Sequence, residues 1–165
     1  MQTSSCLLVI DMQNGLNGAY QYTKLIEKLN QRIKAYHQTD LPVIYVQHTD
    51  AELPYGSEAW KLDAKLTRLP TDRVFLKYHS DSFFETGLKS YLRHHNLQSI
   101  EVCGLQTEYC VDTALRVGHH LGFKMSILAG LNSTFDNELL PAIKIIAHHE
   151  SIWQGSFAEV LSNKN

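Results

Sequence analysis

Asp11, Lys77 and Cys110 each stand at the end of an apolar run or just beyond one, and together they carry the groups needed for nucleophilic acyl chemistry. Cys110 lies within GLQTEYCVDTA, residues 104–114, where a loop gives way to a helical pattern. A cysteine at a helix N-terminus faces unpaired backbone N–H groups and the positive end of the helix dipole, which favour the thiolate. The same N–H groups could hold the oxyanion of a tetrahedral intermediate. The competing reading, a buried structural cysteine, fits Cys6 and Cys103, which lie inside apolar runs. Asp11 opens DMQNG directly after CLLVI and suits a general base, a metal ligand, or a turn or cap residue. Lys77 closes RVFLK; it either reaches solvent or, held in a crevice, stabilises a nearby thiolate or carboxylate. A carboxylate that takes a thiol proton, beside a lysine that favours both ionised forms, makes an activated nucleophile.

These residues need elements to bring them together. Residues 6–10, 43–47, 73–77, 99–103 and 125–128 are short, continuous apolar runs of the kind that form strands buried on both faces. Between them, 25–36, 86–94, 111–121 and 139–148 carry helical stripes. A last strand is expected around 151–153 and a last helix around 157–161. Alternation of strand and helix predicts an α/β fold, a parallel sheet with helices on both faces. In such sheets ligands bind beyond the carboxyl ends of the strands, where the three residues lie. The longest stretch without periodicity, 48–70, has the character of a functional loop. The glycines after the first run, Gly15 and Gly18, do not form a dinucleotide-binding fingerprint.

The chain has 165 residues, 44% hydrophobic and 19% charged, which suits one domain spanning 1–165. A net charge of −2 gives no nucleic-acid footprint, and no apolar run is long enough to span a membrane. The N-terminus lacks a basic segment and a cleavage site, and three cysteines do not make a disulfide framework. The expected location is therefore cytoplasmic.

The three segments together resemble the isochorismatase-like cysteine hydrolase superfamily. LLVIDMQNG is similar to its opening strand and catalytic aspartate, LKYHSDSFFETGL to its lysine segment, and GLQTEYCVDTA to its nucleophile signature. The resemblance implies a three-layer α/β/α Rossmann-like fold with a six-stranded parallel sheet. It implies the triad Asp11, Lys77 and Cys110, a cis peptide between Leu105 and Gln106, and an oxyanion hole made by the N–H groups of Gln106 and Cys110. It further implies cleavage of an amide C–N bond in a small-molecule substrate through a thioester, and a homo-oligomer, dimer or larger.

VQHTDAEL followed by GSEAWKL resembles streptothricin-hydrolase-like members, which are expected to stand nearest. Nicotinamidases in this superfamily carry a D-x-H…H metal site after the second strand. Here VQHTD has the wrong order, so no tightly bound metal and no cofactor are expected. His48 and Trp60 are candidates for substrate binding, with core or strand-end roles as the alternatives; Gln13, Gln106 and Tyr109 are further candidates. The paired histidines 94–95, 119–120 and 148–149 read mostly as surface residues. Three other functions compete: vinyl-ether hydrolysis of isochorismate, a catalytically silent binding protein of the same fold, and a redox-sensing thiol.

Overall fold

A strand that is apolar on both faces must be covered on both, and CLLVI meets this requirement at the centre of the sheet. The structure, a computed structural model, describes residues 4–162. Residues 1–3, read above for a leader, lie outside the described residues. The strands are β1 (Cys6–Ile10), β2 (Val43–His48), β3 (Arg73–Lys77), β4 (Ser99–Leu105), β5 (Lys124–Ser133) and β6 (Glu159–Leu161). They form one six-stranded, all-parallel sheet in the order β3-β2-β1-β4-β5-β6. The chain winds outward from β1 to β3, then returns to lay β4 against the other side of β1. The boundary between β1 and β4 is thus the topological switch point, where a crevice opens beyond the strand ends.

The helices are α1 (Tyr22–His37), α2 (Leu88–His94), α3 (Asp112–His120) and α4 (Ala142–Trp153). Strand alternation divides the core into two layers. Leu7 and Val9 pack with the α1 stripe of Leu25, Ile26, Leu29, Ile33 and Tyr36. Cys6, Leu8 and Ile10 pack on the opposite face with Leu88 and Leu92 of α2, Ala114 and Leu115 of α3, and Trp153 of α4. This is the expected three-layer arrangement. No helix among the described residues is long and apolar enough to cross a membrane.

Two end assignments differ from expectation. Residues 151–153 complete α4, and 159–161 form β6, so the expected last strand and helix exchange places. Trp153 continues the buried α4 stripe of Ala142 and Ile145. The Trp153 carbonyl then accepts from the N–H groups of Ser156, Phe157 and Ala158, while Gly155 at φ 75° turns the chain back into the sheet. The start of α4 also moves, from 139 to Ala142. The Asn137 carboxamide oxygen takes the N–H groups of Leu139 and Leu140, and Asp136 caps the N–H of Ala142 at 2.7 Å.

The aperiodic stretch after β2 is tied down without regular structure. Leu66 joins the α1-side core, Tyr22 Oη donates to Asp63 Oδ2 at 3.1 Å, and Asn30 bonds the backbone of Lys65 and Thr67.

One charge lies in the middle of the sheet. Glu101 of β4 is fully buried, its carboxylate forked by Arg32 of α1 and taking the Tyr36 hydroxyl at 2.9 Å. Removing one member of such a pair strands the other in a medium of low dielectric. Arg32→Leu is therefore expected to cost about 3–5 kcal/mol in urea unfolding, against about 1 kcal/mol for Tyr36→Phe. Equal losses would show that the guanidinium does not hold the charge of Glu101.

Candidate active site

The three strand-end residues converge on one buried point. Asp11 is the first residue after β1; its N–H donates to the Val46 carbonyl at 3.1 Å, and its backbone is left-handed at φ 49°. That conformation is sparsely populated except by Asn, Asp and Gly, and here it turns the carboxylate into the crevice. Lys77 ends β3, two strands away from β1. Neighbouring strands are about 4.8 Å apart, so only a long side chain spans the gap. Lys77 passes His48, its register partner on β2, and places Nζ 2.7 Å from Asp11 Oδ2. Cys110 lies in a single π-helical turn, Thr107–Val111, that leads into α3. Its Sγ accepts from Lys77 Nζ at 3.2 Å.

Enclosure governs the electrostatics. Lys77 is fully buried, Asp11 is 2% exposed and Cys110 9%. Burial, reinforced by Asp11 and opposed by Lys77, pushes the Cys110 thiol up to about 12. The lowered value expected at a helix N-terminus is therefore overturned. The helix end contributes about 0.3–1 kcal/mol, which does not offset desolvation of a thiolate beside a carboxylate. Burial alone would pull Lys77 down, but Asp11 and Cys110 hold it above its ordinary value. The free site thus holds an ammonium against Asp11 with a protonated thiol beside it. Asp11 Oδ1 is buried and has no hydrogen-bond partner, which leaves it free to receive a proton.

His48 completes the cluster. Its Nδ1 lies 3.0 Å from Lys77 Nζ and its Nε2 3.1 Å from Asp50 Oδ2. Asp11, His48 and Cys110 bring potential ligand atoms within 4.8 Å of one another. Lys77 Nζ is in hydrogen-bond or ion-pair contact with all three, so the protein's own ammonium occupies the centre that these groups surround.

The other candidate residues take varied positions. Gln106 follows a cis peptide bond from Leu105, and its carbonyl accepts from the N–H groups of Tyr109 and Val111, shaping the turn that carries Cys110. Gln13 is fully buried; its carboxamide bonds the N–H and C=O of His48 and the C=O of Trp60. It holds the β2 end rather than facing open space. Trp60 donates to Thr49 Oγ1 at 2.9 Å and packs on Tyr55. It lines a cavity of about 620 Å³ with Leu62, Leu66 and Leu76, to which Asp11, Lys77 and Cys110 do not contribute. Tyr109, 55% exposed, stands on the outer surface next to Cys110 in the chain.

Sequence reasoning missed the supports. Gly104, at φ 117°, lies so close to β1 that a Cβ there would fall 2.1 Å from the Ile10 carbonyl oxygen. Only glycine lets β4 approach at the switch point. Asn132 accepts from Thr107 Oγ1 at 2.6 Å and donates to Glu150 at 2.8 Å, tying the Cys110 turn to β5 and α4. The irregular β4–β5 pairing after Val102 places Asn132 there. Gly104 carried a readable signal, a glycine closing an apolar run; Asn132 carried none.

Residues 5–142 match the isochorismatase domain family model. A crystal structure described as an isochorismatase family protein superposes with a TM-score of 0.92 at 42% identity, covering 95% of this chain and 97% of that one. Streptothricin hydrolase of Streptomyces noursei is 23% identical over 83% of this chain and 52% of its own length. Ureidoacrylate amidohydrolase of Pseudomonas syringae is 28% identical over 73% of this chain and 49% of its own length. The expected special nearness to streptothricin hydrolase is not supported by these identities. The fold and the Cys/Asp/His cluster are consistent with amide-bond hydrolysis of the cysteine-hydrolase type.

The electrostatics give a direct test. Iodoacetamide labelling of Cys110 in the free protein, followed by peptide mass spectrometry, is expected to rise about tenfold per pH unit without a plateau through pH 10. Asp11→Asn removes the opposing charge and brings the plateau to lower pH, whereas Lys77→Met slows labelling further. A wild-type plateau below pH 9 would show that the thiol is ionised at rest.

Proposed function

The chain belongs to the isochorismatase domain family, and on that premise we propose that it is a cysteine hydrolase cleaving an amide C–N bond of a small molecule through a thioester acyl-enzyme. The observation that carries this reading is the single buried ammonium of Lys77, which bonds the Asp11 carboxylate at 2.7 Å and the Cys110 sulfur at 3.2 Å. A binding protein has no need of a buried nucleophile wired to a base and a cation; acyl transfer needs all three.

The resting thiol is protonated, so its proton leaves as sulfur attacks. Asp11 Oδ1, the oxygen not held by Lys77, receives it. The S–C bond forms at the substrate carbonyl, and the N–H groups of Gln106 and Cys110 hold the oxyanion. Lys77 stabilises the growing charge on sulfur. Asp11 returns its proton to the leaving nitrogen as the C–N bond breaks, releasing an amine and leaving the thioester. Asp11 then takes a proton from water, whose oxygen adds to the thioester carbonyl; the acid departs and the thiol regains its proton. A net charge of −2 gives no electrostatic reason to expect a nucleic-acid substrate. Similarity to proteins named as an amidohydrolase and a hydrolase supports the bond type, and self-association into a dimer or larger homo-oligomer is part of the same proposal.

The test is a panel of small linear and cyclic amides assayed for amine and acid release, with acid-quench mass spectrometry of the Cys110 peptide. Wild type is expected to show an adduct of the acyl mass. Cys110→Ala should lose turnover of the same amide on the order of 10⁴-fold or more. Retained turnover in that variant would end the proposal.

A further inference from the structure

The ammonium of Lys77 has three N–H groups but four acceptors around it: Asp11 Oδ2 at 2.7 Å, His48 Nδ1 at 3.0 Å, Cys110 Sγ at 3.2 Å and the His79 carbonyl at 3.3 Å. Asp11 alone would balance its charge. One bond to Asp11 leaves the lysine tip able to pivot about the Nζ–Oδ2 line as its side-chain torsions change, so Asp11 alone does not fix where the remaining N–H bonds point. That direction decides whether an N–H meets sulfur.

His48 is built to fix it. To accept from an ammonium, Nδ1 must carry its lone pair, which puts the ring proton on Nε2. Nε2 lies 3.1 Å from Asp50 Oδ2, an acceptor in the right place for that proton. Asp50 is itself anchored, its Oδ1 taking the N–H groups of Glu52 at 2.9 Å and Leu53 at 2.7 Å. Although burial works against it, those N–H groups and His48 hold the Asp50 carboxyl below its ordinary value. The backbone of His48 is held as firmly as its ring, because Gln13 accepts from its N–H at 2.8 Å and donates to its C=O at 2.9 Å. Every polar atom of His48 is thus engaged within the protein.

We propose that His48, locked in its Nε2–H form by Asp50 and buckled by Gln13, is the positioning residue that aims Lys77 at the Cys110 sulfur. It does not touch the reacting atoms; it acts through the ammonium. The proposal rests on the cysteine-hydrolase reading for its effect on turnover, but the arrangement Asp50–His48–Lys77–Cys110 is a property of the free protein and is measurable without substrate.

The test has three parts. In ¹⁵N-histidine-labelled wild type, the His48 ring at neutral pH is expected to show a protonated Nε2 and an unprotonated Nδ1. In labelling of Cys110 at pH 9, His48→Leu is expected to be slower by about tenfold, as the thiolate loses a well-aimed N–H; this corresponds to a rise of about one pKa unit. His48→Asn keeps an acceptor at the place of Nδ1 and should label close to wild type. On an amide that the wild type hydrolyses, His48→Leu should lower kcat about 10- to 100-fold, the range typical when an orienting partner is removed, with KM little changed and kcat recovered in part by His48→Asn. A proton on Nδ1, or wild-type labelling in His48→Leu, would overturn the proposal. A panel in which wild type hydrolyses no amide would count against the functional reading alone, since tautomer and labelling would still decide the role of His48.

Discussion

A primary ammonium with no exposure to solvent is the constraint around which this molecule is arranged. Lys77 loses its hydration entirely, and an uncompensated charge in that position would simply shed its proton. It stays charged because Asp11, Cys110, His48 and the His79 carbonyl together replace its water shell. Each of those partners is supplied by a different strand end or loop, so the charge can exist only when β1, β2, β3 and the turn after β4 are in register. The site is in this sense a consequence of the sheet order. β3 lies two strands from β1, and lysine is long enough to close that distance while still ending in a compact, three-pronged donor.

The approach of β4 to β1 is the second half of the arrangement. Gly104 admits the Ile10 carbonyl where no side chain would fit, and the chain then enters the π-helical turn that carries Cys110. Asn132 of β5, held by Glu150 of α4, braces that turn by accepting from Thr107. Asp11 meets it from the other side in a left-handed conformation. Cys110 and Asp11 are thus set on opposite walls of the switch-point crevice, with the lysine closing the floor between them.

Much of this was legible in the chain because strand ends announce themselves. CLLVI-D, RVFLK and SIEVCGL each change abruptly from apolar to polar, and in a parallel sheet those changes fall on the same edge. What depended on three-dimensional packing was not legible. The exchange of the last strand and helix arose because short apolar runs near 151–161 fit either periodicity, and the decision was made by a Trp153 stripe and by the turn at Gly155. The state of the Cys110 thiol was misread because the helix end is a local feature whereas desolvation is a tertiary one. Gln13 and His48 were identified as residues of interest from their place beside the strand ends, but where their polar atoms point depends on the loop that folds back from Thr49 to Trp60.

A buried, protonated thiol also bears on the competing redox reading. Cys103 belongs to the α1 side of the sheet and Cys110 to the other, so a disulfide between them would have to pass through β4. Cys6 shares the layer of Cys110 but opens β1, whereas Cys110 lies beyond its far end. Five residues of strand separate the two by roughly 13–16 Å, well past the Cα limit of about 7 Å for a disulfide. Without a resolving partner in the chain, and without thiolate at rest, Cys110 is poorly suited to sensing oxidants. Protonation at rest is compatible with the nucleophilic role proposed for Cys110. In the proposed reaction, a carbonyl arriving at sulfur offers the thiol electrons somewhere to go at the moment Asp11 accepts the proton, so the ionised form never has to persist in the buried site.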